Sequence, residues 1–352
     1  MKDKLKLLSP ALVVVALLVT ACSLLIYERE VLWKVQEMNL FLDTPLFLKQ
    51  QMVTSGGLLT WLGCYFTEFF FFPWLGVLLL TLWWAVLLLV IWRTFRIPLK
   101  WTAVLLVPLA AIIIMNVDLG YWIYYLKLRG HFFIAAMGTT VAVAAVWLFR
   151  LLPAKYYLRP VFIFFSTAVL YPLIGFYGLL ATLLMGVLTW RLKQSVTHRI
   201  IGSAVAILSI AFWPLFYYNY VYCQTNIQNI WWTGLPIFIV DKELPNYYIP
   251  YYILVASLVF LALMYGRWKE DASKKEEVRG KKADVRGKKS NIRHQRSDIV
   301  WLCTHLAIVV VAVFCVHRFW YKDHNFHKEC RMQKCVESLN WEGVLAEEVG
   351  DE

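Results

Sequence analysis

The chain has 352 residues, is 60% hydrophobic and 16% aromatic, has a mean hydropathy of +0.59, and carries a formal net charge of +12. A soluble domain of this length has no way to hide so many uninterrupted apolar runs. Between Arg267 and Arg296 lie twelve Lys/Arg and five Asp/Glu, so one segment supplies +7 of the +12, and the charge gives no support to nucleic-acid binding.

Lys2, Lys4 and Lys6 precede an apolar run at 10–27. A signal peptide shares this layout, and Val19-Thr20-Ala21-Cys22 loosely matches a lipoprotein cleavage box. The run continues past Cys22 to Tyr27, beyond the ~7–15 residues of a signal core, so a retained anchor with a cytoplasmic amino terminus is expected. Residues 28–71 then form an outer segment, amphipathic rather than fully apolar. Asp43-Thr44-Pro45 reads as a helix start with Asp43 as cap and the proline in the first turn. Ser55-Gly56-Gly57 breaks the chain. The aromatic stretch 58–71, with Glu68 as its one charge, reads as a helix lying in the outer interface.

The stretch 72–92, FPWLGVLLLTLWWAVLLLVIW, is twenty-one residues without a charge, stopped by Arg93 and Arg96. It matches the ~20 apolar residues that cross a ~30 Å hydrocarbon layer as a helix. Similar segments follow at 101–117 and 131–149. Between them, 118–130 is a loop dense in Tyr and Trp, as an interfacial belt should be. An uncharged run of thirty-one residues, 160–190, has basic residues at both ends and Pro172 and Gly175 near its middle. It is expected to form a hairpin of two short legs, 160–173 and 176–190, either a full double span or a re-entrant hairpin. Further spans are expected at 200–217 and 247–265, with a second aromatic outer loop between them.

Residues 267–298 form a basic linker containing the tandem heptads EEVRGKK and ADVRGKK; it is expected to be cytoplasmic, disordered or associated with anionic headgroups. A last span at 299–316 leaves 317–352 as an external helical tail. The fold class is therefore all-α, a polytopic transmembrane bundle of about nine spans, amino terminus in and carboxyl terminus out.

Charged residues near spans are costly and often functional. The candidates share the outer side. Asp43 and Glu68 are the candidate catalytic carboxylates, able to act as general base toward an acceptor hydroxyl. Asp118, Lys127, Arg129, His131 and Asp241 are the candidate ligand-binding residues, the cations suited to a phosphate or pyrophosphate. The competing reading is that these charges only mark loop ends facing water. His324, His327 and Cys330 follow one another at i, i+3 and i+6, but the spacing drifts around a helix and matches no zinc pattern, so no metal is expected. No phosphate-binding loop, nucleophile elbow or dinucleotide glycine pattern occurs, and no cofactor is expected.

Four stretches, LFLDTPLFLKQQMVTSGGLLTWLGCYFTEFFFFPWLG (40–76), YYLKLRGHFF (124–133), YPLIGFYGLLATLL (171–184) and HNFHKECRMQKCVESLNWEGVLAE (324–347), carry a resemblance to an uncharacterised family of bacterial multi-spanning inner-membrane proteins, a domain of unknown function. In that family the last stretch leads into paired helices resembling tetratricopeptide repeats. This chain stops at Glu352, so a repeat-domain binding role is not expected of it. A weaker resemblance is to polytopic lipid-sugar-dependent glycosyltransferases, which share a cytoplasmic amino terminus and a first external loop with an acidic residue. Asp43 and Glu68 occupy that loop, but the usual adjacent acidic pair is missing. The resemblance implies handling of a lipid-linked glycan at the outer face. The rival readings are an envelope scaffold that presents its tail to partners and, third, a transporter.

Overall fold

The computed structural model describes residues 2–125, 129–153, 157–192, 195–222, 226–235, 248–267 and 289–347. Among the described residues every regular element is helical. In chain order these are α1 (Lys2–Tyr27), α2 (Arg29–Glu37), α3 (Pro45–Gln51), α4 (Gly57–Thr67), α5 (Pro73–Phe95), α6 (Leu106–Val117), α7 (Trp122–Tyr125), α8 (His131–Leu151), α9 (Leu158–Ile174), α10 (Phe176–Thr189), α11 (Val196–Tyr220), α12 (Ile249–Met264), α13 (Lys289–Phe319), α14 (His324–Glu337) and α15 (Trp341–Ala346). Short 3₁₀ turns at Glu68–Phe71 and Leu99–Leu105 lead into α5 and α6.

Six of the described helical segments are long and apolar enough to cross a bilayer: Leu8–Tyr27, Pro73–Phe95, Leu99–Val117, His131–Leu151, Val196–Tyr220 and Val300–Phe319. Three shorter apolar helices, α9, α10 and α12, pack with them. Burial sorts them into layers. In the α6 and α8 segments 72% of the apolar window is buried, against 17% for α1, 22% for α11 and 11% for α13. The outer helices are as apolar as the inner ones, which suits a hydrocarbon surround and not water.

Hydrogen bonds between distant segments gather at two ends of the bundle. At one end Arg150 donates to the carbonyls of Arg93 and Thr94 (2.8 and 2.5 Å), Ser9 bonds Thr102 and the Ala103 amide, and Trp301 donates to Lys100 O. Arg150 there meets the last carbonyls of α5, where the helix dipole favours a cation. At the other end the Gly56 amide donates to Pro172 O, Phe176 N to Thr233 O, and Tyr321 N to Val117 O. Traced through these contacts, α1, α6, α9 and α13 run one way and α5, α8 and α10 the other. The Arg150 end holds Arg93, Arg96, Lys100 and Arg159.

Several boundaries differ from the sequence reading. Thr44, not Asp43, caps α3, its hydroxyl accepting from Phe47 N at 3.2 Å, because Pro45 takes the first helical position. The span expected from Trp101 starts as a 3₁₀ turn. The helix of the last span begins at Lys289, ten residues before the expected start, so the end of the basic segment is helical. Residues 268–288, with both heptads but for the final Lys289, lie outside the described residues.

Candidate functional site

Helices α1, α6 and α13 run parallel, and their ends are joined more tightly than their middles. At the Arg150 end, Trp301 and His305 both contact Lys100 O, at 3.0 and 2.9 Å, while Ser9 is fully buried against Thr102. At the far end Trp320 and Tyr321 are bonded to Glu28 and Val117. Between these ends the facing positions include Ala16, Ser23, Ala110 and Ala312, whose side chains are too small to close the gap. The result is a groove of about 770 Å³, within the ~300–1,000 Å³ of small-molecule sites. Its lining on α1 runs from Leu12 to Ile26, about 21 Å at ~1.5 Å per residue, more than one ~15 Å leaflet. The walls are aliphatic and the far end is polar, with Glu28, His317, Lys322, His324, His327 and Arg331.

That polar end is built from residues far apart in sequence. Glu28, 7% exposed, sits where the apolar α1 gives way to α2. One of its oxygens accepts from Trp320 Nε1 at 2.5 Å, and both lie 3.4 Å from His327 Nε2. His327 Nδ1 is 2.7 Å from Asp323 O. Both ring nitrogens thus face acceptors, which only the doubly protonated imidazolium can satisfy. The Glu28 hydrogen bond raises the His327 pKa above its ordinary 6.5, against the opposing effect of burial. The pair is therefore a largely buried ion pair with its remaining polar atoms engaged.

The same contacts fold the tail down onto the bundle. Phe326, 1% exposed, inserts among Tyr121, Tyr124 and Tyr321, with ring centroids 5.0, 6.5 and 5.4 Å away. Tyr121 donates to Glu329 and Tyr124 to Gln333, at 3.1 and 3.3 Å. Cys330 is fully buried, and burial pushes its thiol up to about 11. Arg331 grips Glu347 through two bonds of 2.7 and 3.1 Å. His324, His327 and Cys330 thus point to different surroundings, and among the described residues no group of three metal-ligand side chains is poised to hold an ion.

The sequence-predicted residues are dispersed. Asp43 is exposed on the connection before α3. Glu68 is half-buried and accepts from Gln36 Nε2 at 3.0 Å and Asn39 Nδ2 at 2.6 Å, pinning the end of α2 to α4. Asn39 also donates to Cys64 O at 3.0 Å. Asp118 ends α6, and burial pushes its carboxyl up to about 6, with Arg318 pulling the other way. Arg129 is exposed. His131 is buried, its Nε2 donating to Met115 O at 2.9 Å and so tying α8 to α6. Lys127 and Asp241 lie outside the described residues. Among the described residues no hydrogen bond or ion pair joins any two of these positions. The groove residues Glu28, Trp320 and Lys322 were missed; the one available signal was a carboxylate set directly against the end of an apolar run.

No curated protein and no solved structure matches this chain. The model of one family, described as "Family of unknown function (DUF6057)", matches residues 4–352. With a match over nearly its whole length, from the first lysines through the docked tail, the chain belongs to that family.

Proposed function

We propose that this is a bacterial inner-membrane protein of nine crossings, amino terminus inside and tail outside, that holds a lipid-linked ligand at its outer face in the groove between α1, α6 and α13. The groove carries the reading: it pairs a long aliphatic wall with a polar end, the shape of one amphiphile, in helices whose other surroundings are apolar. The orientation is supported by Arg93, Arg96, Arg150 and Arg159 gathering at the opposite end, as cytoplasmic loops require. On the same outer side, Phe41, Trp61 and Tyr65 form an aromatic surface of the kind on which a sugar ring stacks, with the Trp61 and Tyr65 rings 10° from parallel. Asp43 and Glu68 are the carboxylates available to a transfer reaction on that face.

Native mass spectrometry of protein extracted from membranes tests the reading. A co-purifying lipid is expected on the wild type and absent from Ala110→Trp, which fills the groove. Equal lipid occupancy in both would overturn it. Phosphatase fusions after Tyr321 should be active and those after Arg96 silent; the reverse pattern would overturn the orientation.

A second reading, an envelope scaffold, has one observation in its favour. Leu339, Trp341 and Leu345 at the end of the tail are 73%, 59% and 82% exposed, an apolar surface outside the bundle. It predicts that deleting 339–347 disturbs the envelope while leaving lipid occupancy unchanged.

A further inference from the structure

We propose that the polar end of the groove is a phosphate site, so that the occupant is a lipid whose headgroup begins with a phosphate ester. This rests on the groove holding a lipid and goes further by assigning the head chemistry.

The assignment comes from which groups at the mouth already have a partner. Glu28 is engaged by Trp320 and His327. The Arg331 guanidinium faces Glu347, and Glu30 lies 4.0 Å from Lys334. Asp323, just behind, has one carboxylate oxygen capping Asn325 N at 2.9 Å and the other accepting from Tyr321 at 3.3 Å. The carboxylates around the mouth are therefore neutralised or occupied.

What remains is a cluster of donors. Lys322 and His317 are exposed, and Lys322 Nζ donates to His317 Nε2 at 3.0 Å. An ammonium has three N–H groups, so two remain, and a ring accepting at Nε2 carries its own proton on Nδ1. His324, also exposed, lines the same mouth from the first turn of α14. One ammonium with two unused N–H groups and two imidazoles that can donate beside it, at the end of an aliphatic groove, match a phosphate on a hydrocarbon chain. A neutral glycerol or sugar head would leave the charge uncompensated, and a quaternary amine would be repelled.

The test compares dioleoyl phosphatidic acid with dioleoylglycerol, which share their chains and differ in the phosphate. Binding to the purified full chain in neutral detergent is measured by native mass spectrometry. The wild type is expected to prefer the phosphatidic acid by at least about tenfold. Lys322→Gln combined with His324→Gln should reduce the preference below about threefold, through weaker binding of the phosphatidic acid. Both side chains are exposed, and Lys322→Arg, which keeps charge and donors, should retain the preference. Ala110→Trp should abolish binding of both lipids.

Equal affinity of the wild type for the two lipids, with Ala110→Trp still blocking both, would overturn the phosphate site and leave the groove reading standing. Unaltered binding in Ala110→Trp would remove the groove itself and the phosphate site with it. Displacement of the phosphatidic acid by inorganic phosphate at equal concentration would also overturn the proposal, since the ion alone would then be the ligand.

Discussion

Trp320 donates its indole N–H to Glu28 across 2.5 Å, joining positions 292 residues apart. The bond ties the end of the first long helix to the end of the last, and His327 closes it from the tail. Breaking it from the carboxylate side should be the more damaging choice. Glu28→Ala leaves an imidazolium and an indole N–H without their acceptor, and loss of one partner of a buried pair costs about 3–5 kcal/mol. Trp320→Phe removes one charge-assisted bond, about 1.5–3 kcal/mol. Hydrogen exchange across 324–337 should accelerate in both variants, and more in Glu28→Ala.

The pairing also makes tail docking dependent on pH. Because the folded His327 pKa is raised, its contribution is fully present below the ordinary 6.5 and is lost as pH rises through the higher folded value. Glu28 and the Asp323 carbonyl favour the protonated ring, while Arg331 and burial oppose it. Exchange in α14 should therefore speed up on the alkaline side of pH 6.5. Glu28→Gln should flatten the profile; an unchanged profile would show that the ring is not the titrating group.

Glu68 and Asp43 separate a structural from a chemical role. Glu68→Ala strips the acceptor from the part-buried Gln36 amide and from one N–H of Asn39, which keeps its bond to Cys64 O, at a cost of about 1–3 kcal/mol. It should loosen α2, seen as a lower Tm. Asp43→Ala, on an exposed connection, should leave Tm within about 1 °C, consistent with the ±0.5 kcal/mol of ordinary surface changes. If both variants lose lipid-linked glycan transfer equally while only one is destabilised, Asp43 acts in the chemistry.

Gly130 and Gly266 share left-handed backbone angles, φ +77° and +86°, but not surroundings. A Cβ on Gly130 would sit 2.1 Å from the carbonyl carbon of Gly63, whereas one on Gly266 meets nothing within 4 Å. Gly266→Ala should therefore carry only the backbone strain of about 1–2 kcal/mol. Gly130→Ala should separate α4 from α8 and abolish accumulation of folded protein, measured by fluorescence-detected size exclusion.

Much of the architecture was legible in the sequence because lipid enforces a local rule. A backbone crossing hydrocarbon must satisfy its hydrogen bonds within its own segment, so apolar run length and flanking charge mark helices without knowledge of their neighbours. The apolar run at 72–92 lies almost wholly in α5, which continues past Arg93 to Phe95, and Gly175 separates α9 from α10. What only the tertiary structure decided was which helices stand side by side and what lies between them. Ala16, Ala110 and Ala312 are ordinary residues of apolar runs until three parallel helices place them around one gap. His327 looked like a metal-ligand type at helical spacing, and its partner proved to be a carboxylate at the end of α1. Such pairings rest on packing and side-chain direction between distant segments, which hydropathy along one chain does not encode.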